Sequence, residues 1–218
     1  MFVLAITLLL GFFLRVIGLN WDQGMHLHPD ERMLIMVAVP IHFFSNLNPN
    51  FFNYGSLPIY LLSSTAQIMH TIFPSSLSLY DSLLYIGRAL SLTADLVVIL
   101  LINRLSWKLF KSRYIASIAS LLYALAFFPI QNSHFFIVDT FLNLFILLTL
   151  YTLLRYIEKR TTSRLMVVAI AFAAALTTKV TAVIFLPFIL CLIFYQNRKN
   201  IAHGASQTMT FLLLLLPF

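Results

Sequence analysis

Long uncharged runs, separated by short polar or basic clusters, dominate the chain. A membrane-crossing helix needs on the order of 20 mostly apolar residues, because it rises about 1.5 Å per residue through a hydrocarbon core of roughly 30 Å. Met1 to Leu19 qualifies, broken only by Arg15, whose long side chain can snorkel to the interface. Tyr85 to Trp107, Tyr114 to Ile130 and Phe135 to Tyr156 qualify as well. Leu165 to Tyr195 would span roughly 46 Å as one helix, too long for an upright crossing, and carries Thr177, Thr178, Lys179 and Thr181 at its centre. It reads as two short spans turning at Lys179. A seventh span begins near Gln207 and stops in the run FLLLLLPF, from Phe211 to Phe218. Pro29 to Phe44 and Ser56 to Phe73 mix apolar with polar positions and read as interfacial helices, their apolar faces in the lipid boundary. The pattern predicts an all-α, polytopic transmembrane helical bundle of about six to seven spans, with interfacial helices in the first extracytoplasmic loop. Residues 1–218 form one N-terminal transmembrane module, and the unfinished last span implies a missing C-terminal part.

Composition agrees. Of 218 residues 61% are apolar and only 10% charged, against about a quarter in soluble domains. That excludes a soluble enzyme, a disordered tail, a secreted disulfide scaffold and a coiled coil. The single Cys191 excludes an intrachain disulfide or thiolate metal site. Met1 to Leu14 has neither a basic start nor a small-residue cleavage site, so it reads as a retained anchor in preference to a cleaved signal peptide.

The net charge of +7 is mostly topology. Arg104, Lys108, Lys111 and Arg113 form one cluster, Arg155, Lys159, Arg160 and Arg164 a second, Arg198 and Lys199 a third, all on alternate loops. The positive-inside rule puts these in the cytoplasm, and no nucleic-acid partner is needed to explain them. Arg15, Arg32, Arg88 and Lys179 remain on the outer side. An inverted arrangement, in which Ser56 to Phe73 crosses and the N-terminus lies outside, satisfies the same rule and makes the loop near residue 30 cytoplasmic.

The seven acidic residues divide by position. Glu158, among cytoplasmic bases, reads as a solvated ion pair; Asp81 as a helix cap; Asp22 as an ordinary interface loop residue; Asp95, mid-span, as a packing residue. Asp30 and Glu31 stand in HLHPDERM, after His26, His28 and Pro29. Asp30 suits a helix cap with Glu31 in the first turn, and equally a general base at the membrane surface. Asp139, just inside a span in HFFIVDT, is costly at membrane depth and so is a candidate for function; the bland alternative is a contact with Thr140 or Asn143. Arg32, Arg88 and Lys179 on the same side suit a phosphate that emerges at the outer surface. His28 and Asp30, with His26 nearby, suggest a divalent-metal site.

LRVIGL (Leu14 to Leu19), HPDE (His28 to Glu31), NPNFFNYGSLPIYLL (Asn48 to Leu62), IGRALS (Ile86 to Ser91), HFFIVDT (His134 to Thr140) and ALTTKVTA (Ala175 to Ala182) follow one another along the chain. In that order they resemble the N-terminal half of bacterial GT-C glycosyltransferases, in the branch related to protein O-mannosyltransferases and described as phospholipid carrier-dependent. The resemblance implies a GT-C membrane enzyme of the bacterial cytoplasmic membrane with its active site outside. It implies transfer of a sugar from a polyprenyl-phosphate donor to a protein, lipid or glycan acceptor, with inversion. Asp30 with Glu31 would carry the base, Asp139 would hold the acceptor, a metal or the partner carboxylate, and Arg88, with Lys179 as a second contact, would bind the donor phosphate. Where the aminoarabinose transferases to lipid A carry a Lys-Pro-Pro element, this chain reads Tyr54, Gly55, Ser56, Leu57, Pro58, which argues against that branch. The alternatives are a transporter or flippase for a lipid-linked or anionic substrate, and a non-catalytic scaffold.

Overall fold

The computed structural model describes residues 2–43, 45–73, 78–196 and 201–216. In chain order the helices are α1 (Phe2–Val16), α2 (Pro29–Ala38), α3 (Leu57–Ile72), α4 (Leu79–Phe110), α5 (Arg113–Leu125), α6 (Phe127–Ser133), α7 (Val138–Glu158) and α8 (Thr162–Leu176), then a 3₁₀ stretch (Val180–Phe185), α9 (Leu186–Gln196) and α10 (Ile201–Leu215). Arg198 and Lys199 of the third basic cluster lie outside the described residues, as do Met1, Phe44, Pro217 and Phe218.

The expected all-helical bundle is the one observed. Helices α4 and α7 are each long and apolar enough to cross a membrane. The run Tyr114 to Ile130 is broken instead of continuous: α5 and α6 meet at Ala126 with a bend of 58°. The run Leu165 to Tyr195 breaks where its threonine cluster predicts, with α8 ending at Leu176 and 3₁₀ structure starting at Val180. Helices α1, α8 and α10 and the Val180–Gln196 stretch are shorter apolar elements.

Local chemistry sets the boundaries. Ser112 and Thr161 cap α5 and α8 through the Ile115 and Arg164 amides. Ser78, not Asp81, caps α4; Asp81 sits one turn in and accepts from the Ser78 hydroxyl at 2.6 Å. Helix α2 starts at Pro29, its fixed φ suited to a first helical position, and stops at Ala38 short of the expected Phe44. Val39 still keeps helical geometry as the C-cap, and Pro40 after it offers no amide to continue the ladder. Lys111, at φ 54°, turns the chain sharply from α4 into α5.

Helices α2 and α3 do not simply lie on lipid. Leu34, Ile35 and Ala38 of α2 and Ile59, Leu62 and Ala66 of α3 are buried against Leu83 and Leu84 of α4 and Phe136, Val138 and Phe141 at the start of α7. A second core joins α7, α8, α9 and α10 through Leu153, Phe172, Ile189, Ile193 and Phe211. At the basic end, Lys108 of α4 pairs with Glu158 of α7, which is the ion pair expected for that acid.

Two buried polar knots pin this packing. In the first, Arg15 does not snorkel: it is wholly buried, and its Nε donates to Asp95 Oδ2 at 2.5 Å. Its Nη1 also donates to the carbonyls of Gly11 and Ala124. Tyr123 donates to the other Asp95 oxygen at 2.6 Å and receives from Asn143 at 2.8 Å, so α1, α4, α5 and α7 share one network. Asp95 is therefore an ion-pair partner and more than a packing residue.

The second knot lies at the end of the bundle where α4 starts. Arg88 is fully buried and forks onto two carboxylates. Its Nε and Nη2 reach Glu31 at 3.0 and 2.7 Å, and its Nη1 and Nη2 reach Asp22 at 2.9 and 2.8 Å. Nη1 also donates to the Leu19 carbonyl at 2.8 Å. Glu31 Oε1 further accepts the Phe136 amide at 2.8 Å. Gly87 makes room, since a Cβ there would stand 2.8 Å from Phe136. Burial alone would raise the Asp22 carboxyl, but bonds from Arg88 and from the Leu27 and Gly24 amides outweigh it and hold the group at about 2.

Removing one partner of such a knot leaves buried charge uncompensated, at roughly 3–5 kcal/mol. Arg88→Ala is accordingly expected to unfold the half of the bundle around α2 and the start of α4. Arg88→Lys is expected to rescue little of that loss, because an ammonium cannot fork onto two carboxylates; thermal unfolding in detergent micelles measures both. Asp22, lowered in the fold from 3.8 to about 2, stabilises fully above its unfolded value, and that contribution fades as pH falls through the interval between them. The expected loss is about 2 kcal/mol by pH 2, seen as a falling thermal midpoint below pH 4 that Asp22→Asn flattens.

Candidate functional site

The Arg88 knot decides which members of HPDE are available for chemistry. His28 occupies the N-cap of α2 and accepts the Glu31 amide on Nδ1 at 3.4 Å, with its ring stacked on Phe135 at 4.3 Å. The cap expected of Asp30 is thus taken by His28. Asp30 falls in the first turn, half-buried, and its carboxylate has no hydrogen-bond or ion-pair partner among the described residues. Glu31, one residue on, is wholly buried with both oxygens engaged. Of the adjacent acids, one is therefore structural and one is free.

Arg88 is in the same position as Glu31. Its nitrogens Nε, Nη1 and Nη2 all donate within the protein and none of its surface is open, so the phosphate contact expected of it is not formed by this geometry. Arg32, in contrast, is exposed at the start of α2, with no side-chain partner among the described residues.

Asp139 stands in the first turn of α7 and is exposed; the contact expected with Thr140 or Asn143 is replaced by an ion pair with Lys179 at 2.7 Å. Lys179 itself sits 5.8 Å from the Tyr54 ring centroid. The segment leading into α3 holds the lysine turn from below: the Gly55 amide donates to the Thr178 carbonyl at 3.0 Å and the Leu57 amide to the Thr177 carbonyl at 3.1 Å. Only glycine fits at that contact, because a Cβ on Gly55 would lie 1.9 Å from the Thr177 oxygen. The segment before α3, the start of α7 and the broken helix therefore converge on one cation.

A metal does not fit the residues suggested for it. Among the described residues no group of three or more His, Cys, Asp or Glu side chains comes together. His28 spends Nδ1 on its cap, and His26 is engaged elsewhere, its Nε2 with Asp81 at 3.3 Å and its ring stacked on Tyr80. One imidazole nitrogen and the Asp30 carboxylate fall short of the ligand set a divalent ion takes.

Sequence reasoning missed Asp22, read as an ordinary loop residue, although a buried arginine one span away needed partners. It also gave Tyr54 no role. The signal was an aromatic residue directly before the glycine of the NYGSLP stretch, where the loop must approach another backbone.

The fold matches a solved structure, the Archaeoglobus fulgidus oligosaccharyltransferase in its apo form, with a TM-score of 0.77 and 19% identity over 99% of this chain. That match covers 29% of the archaeal chain, so the present chain spans under a third of that protein's length. It is the GT-C-type helical arrangement that the motif order implied. No curated protein sequence matches the chain. A match to the family described as dolichyl-phosphate-mannose-protein mannosyltransferase covers residues 67–218, which takes in Asp139 and Lys179 and leaves out Asp30. On that match, over well more than half its length, the chain belongs to the dolichyl-phosphate-mannose-protein mannosyltransferase family.

Proposed function

We propose that the chain is the N-terminal catalytic module of a membrane glycosyltransferase that moves a sugar, of mannosyl type, from a polyprenyl-phosphate donor to a protein, lipid or glycan acceptor. The reaction runs at the extracytoplasmic face of a bacterial cytoplasmic membrane and inverts the anomeric carbon. Asp30 is the general base. The observation that carries this reading is the contrast within one helical turn between Glu31, locked on Arg88 and the Phe136 amide, and Asp30, unengaged at the start of α2.

In the reaction Asp30 takes the acceptor proton as the acceptor oxygen or nitrogen bonds to the anomeric carbon, and the bond from that carbon to the phosphate oxygen breaks. Its electron pair leaves on the phosphate, which needs no separate acid to depart. Lys179 and the exposed Arg32 supply positive charge for that phosphate. Arg88 and Glu31 position: by locking the first turn of α2 against the segment before α7, they fix where Asp30 stands.

A transporter of a lipid-linked or anionic substrate would use the broken helix at Thr177 to Lys179, since unwound backbone in transporters lines the substrate path. Here the Thr177 and Thr178 carbonyls are spent on the Leu57 and Gly55 amides, which favours a fixed wall over a moving gate. The deciding experiment follows a radiolabelled polyprenyl-phosphate sugar with full-length protein in membranes. Asp30→Asn is expected to slow transfer by about 10²–10⁴-fold while leaving the fold intact. Transfer at the parental rate would refute the assignment of the base.

A further inference from the structure

The pairing of Asp139 with Lys179 gives Asp139 a task beyond holding an acceptor. Lys179 is the cation at which three chain segments converge, and its ammonium is already occupied by a carboxylate at 2.7 Å. The pair is not sealed: the Lys179 and Asp139 side chains are 28% and 51% exposed, so an arriving anion can reach the lysine from solvent or headgroup region. The Tyr54 ring and the amides of Gly55 and Leu57, bonded to the Thr178 and Thr177 carbonyls, fix where the lysine is rooted, leaving only its carboxylate partner free to exchange.

We infer that Asp139 is an internal anion that competes with the lipid-linked phosphate for Lys179, and that this exchange discharges the spent carrier after each transfer. The inference rests on the proposed reaction for the identity of the phosphate. Before transfer the donor is a phosphodiester with one negative charge. When the anomeric carbon leaves, the phosphate becomes a monoester carrying about −1.5 to −2 at neutral pH. Product therefore binds a lone ammonium more tightly than donor does, which would trap the enzyme with its carrier. A carboxylate tethered within hydrogen-bond distance works against that trap, because its return to Lys179 recovers a charge-assisted bond as the phosphate departs. No bond is made or broken in this step; one anion replaces another on Nζ. Asp139 acts through Lys179 as a positioning residue, and its benefit appears in release.

Undecaprenyl phosphate is the probe, with full-length protein in nanodiscs of zwitterionic lipid. Asp139→Asn is expected to bind it about two- to fivefold more tightly than the parent, the range of an exposed ion pair, and to show product inhibition strengthened by the same factor. Asp139→Glu, which keeps the carboxylate, is expected to restore parental affinity. In a Lys179→Gln background the Asn substitution is expected to change nothing, which separates a contest for this lysine from general relief of negative charge. Equal or weaker binding by Asp139→Asn, or tightening that persists without Lys179, overturns the inference. So does Lys179→Gln binding the probe as well as the parent. Asp30→Asn is the companion variant: it is expected to bind undecaprenyl phosphate as the parent does, so a wrongly assigned base would surface in the transfer assay and leave the binding series readable.

Discussion

Burying a guanidinium is tolerable only if each of its N–H donors finds a partner, and Arg88 meets that condition by drawing three distant segments together. Asp22 comes from the loop after α1, Glu31 from the first turn of α2, and the Phe136 amide, through Glu31, from the approach to α7. None of these could relax without stranding a charge. The loop after α1 is thereby held against α4, and α2 is fixed both along its axis and in rotation. Asp30 inherits its placement from that rotation. The residues with the most charge chemistry at this end of the bundle are thus the scaffold of the site, while the reactive candidates are those the scaffold leaves over.

The same division recurs at the broken helix. Thr177 and Thr178 give up helical hydrogen bonding beyond α8, and their carbonyls are taken by the amides of Gly55 and Leu57. Buried backbone left unpaired is expensive, so this exchange is what makes the break tolerable. It also brings Tyr54 and Lys179 together and sets Lys179 against Asp139. A loop with no regular structure of its own thereby becomes one wall of the site.

The first turn of α2 shows why readings of single residues diverged from the result. Asp30 and Glu31 are neighbours of the same chemical type, and nothing in HLHPDERM says which one faces inward. A helix turns by about 100° per residue, so adjacent side chains necessarily take different surroundings, and the choice depends on where Arg88 arrives from α4. Arg15 and Asp95 are the parallel case in the membrane. Each alone suggested an interface or packing role, and only the approach of α1 to α4 shows that they neutralise one another at 2.5 Å.

What the amino-acid order determined by itself was the all-helical membrane bundle, the break at Lys179 and the candidate charges Asp30, Asp139, Lys179 and Arg32. The bundle and its break are consequences of hydrophobic run length, a local property of the chain. Tertiary structure alone decided that Arg88 and Glu31 neutralise each other out of solvent, that Asp22 completes their knot, and that Asp139 rests on Lys179. The reason is that a charge becomes available or unavailable through its partner, and here every partner lies on a different segment, brought close by packing that no local pattern encodes.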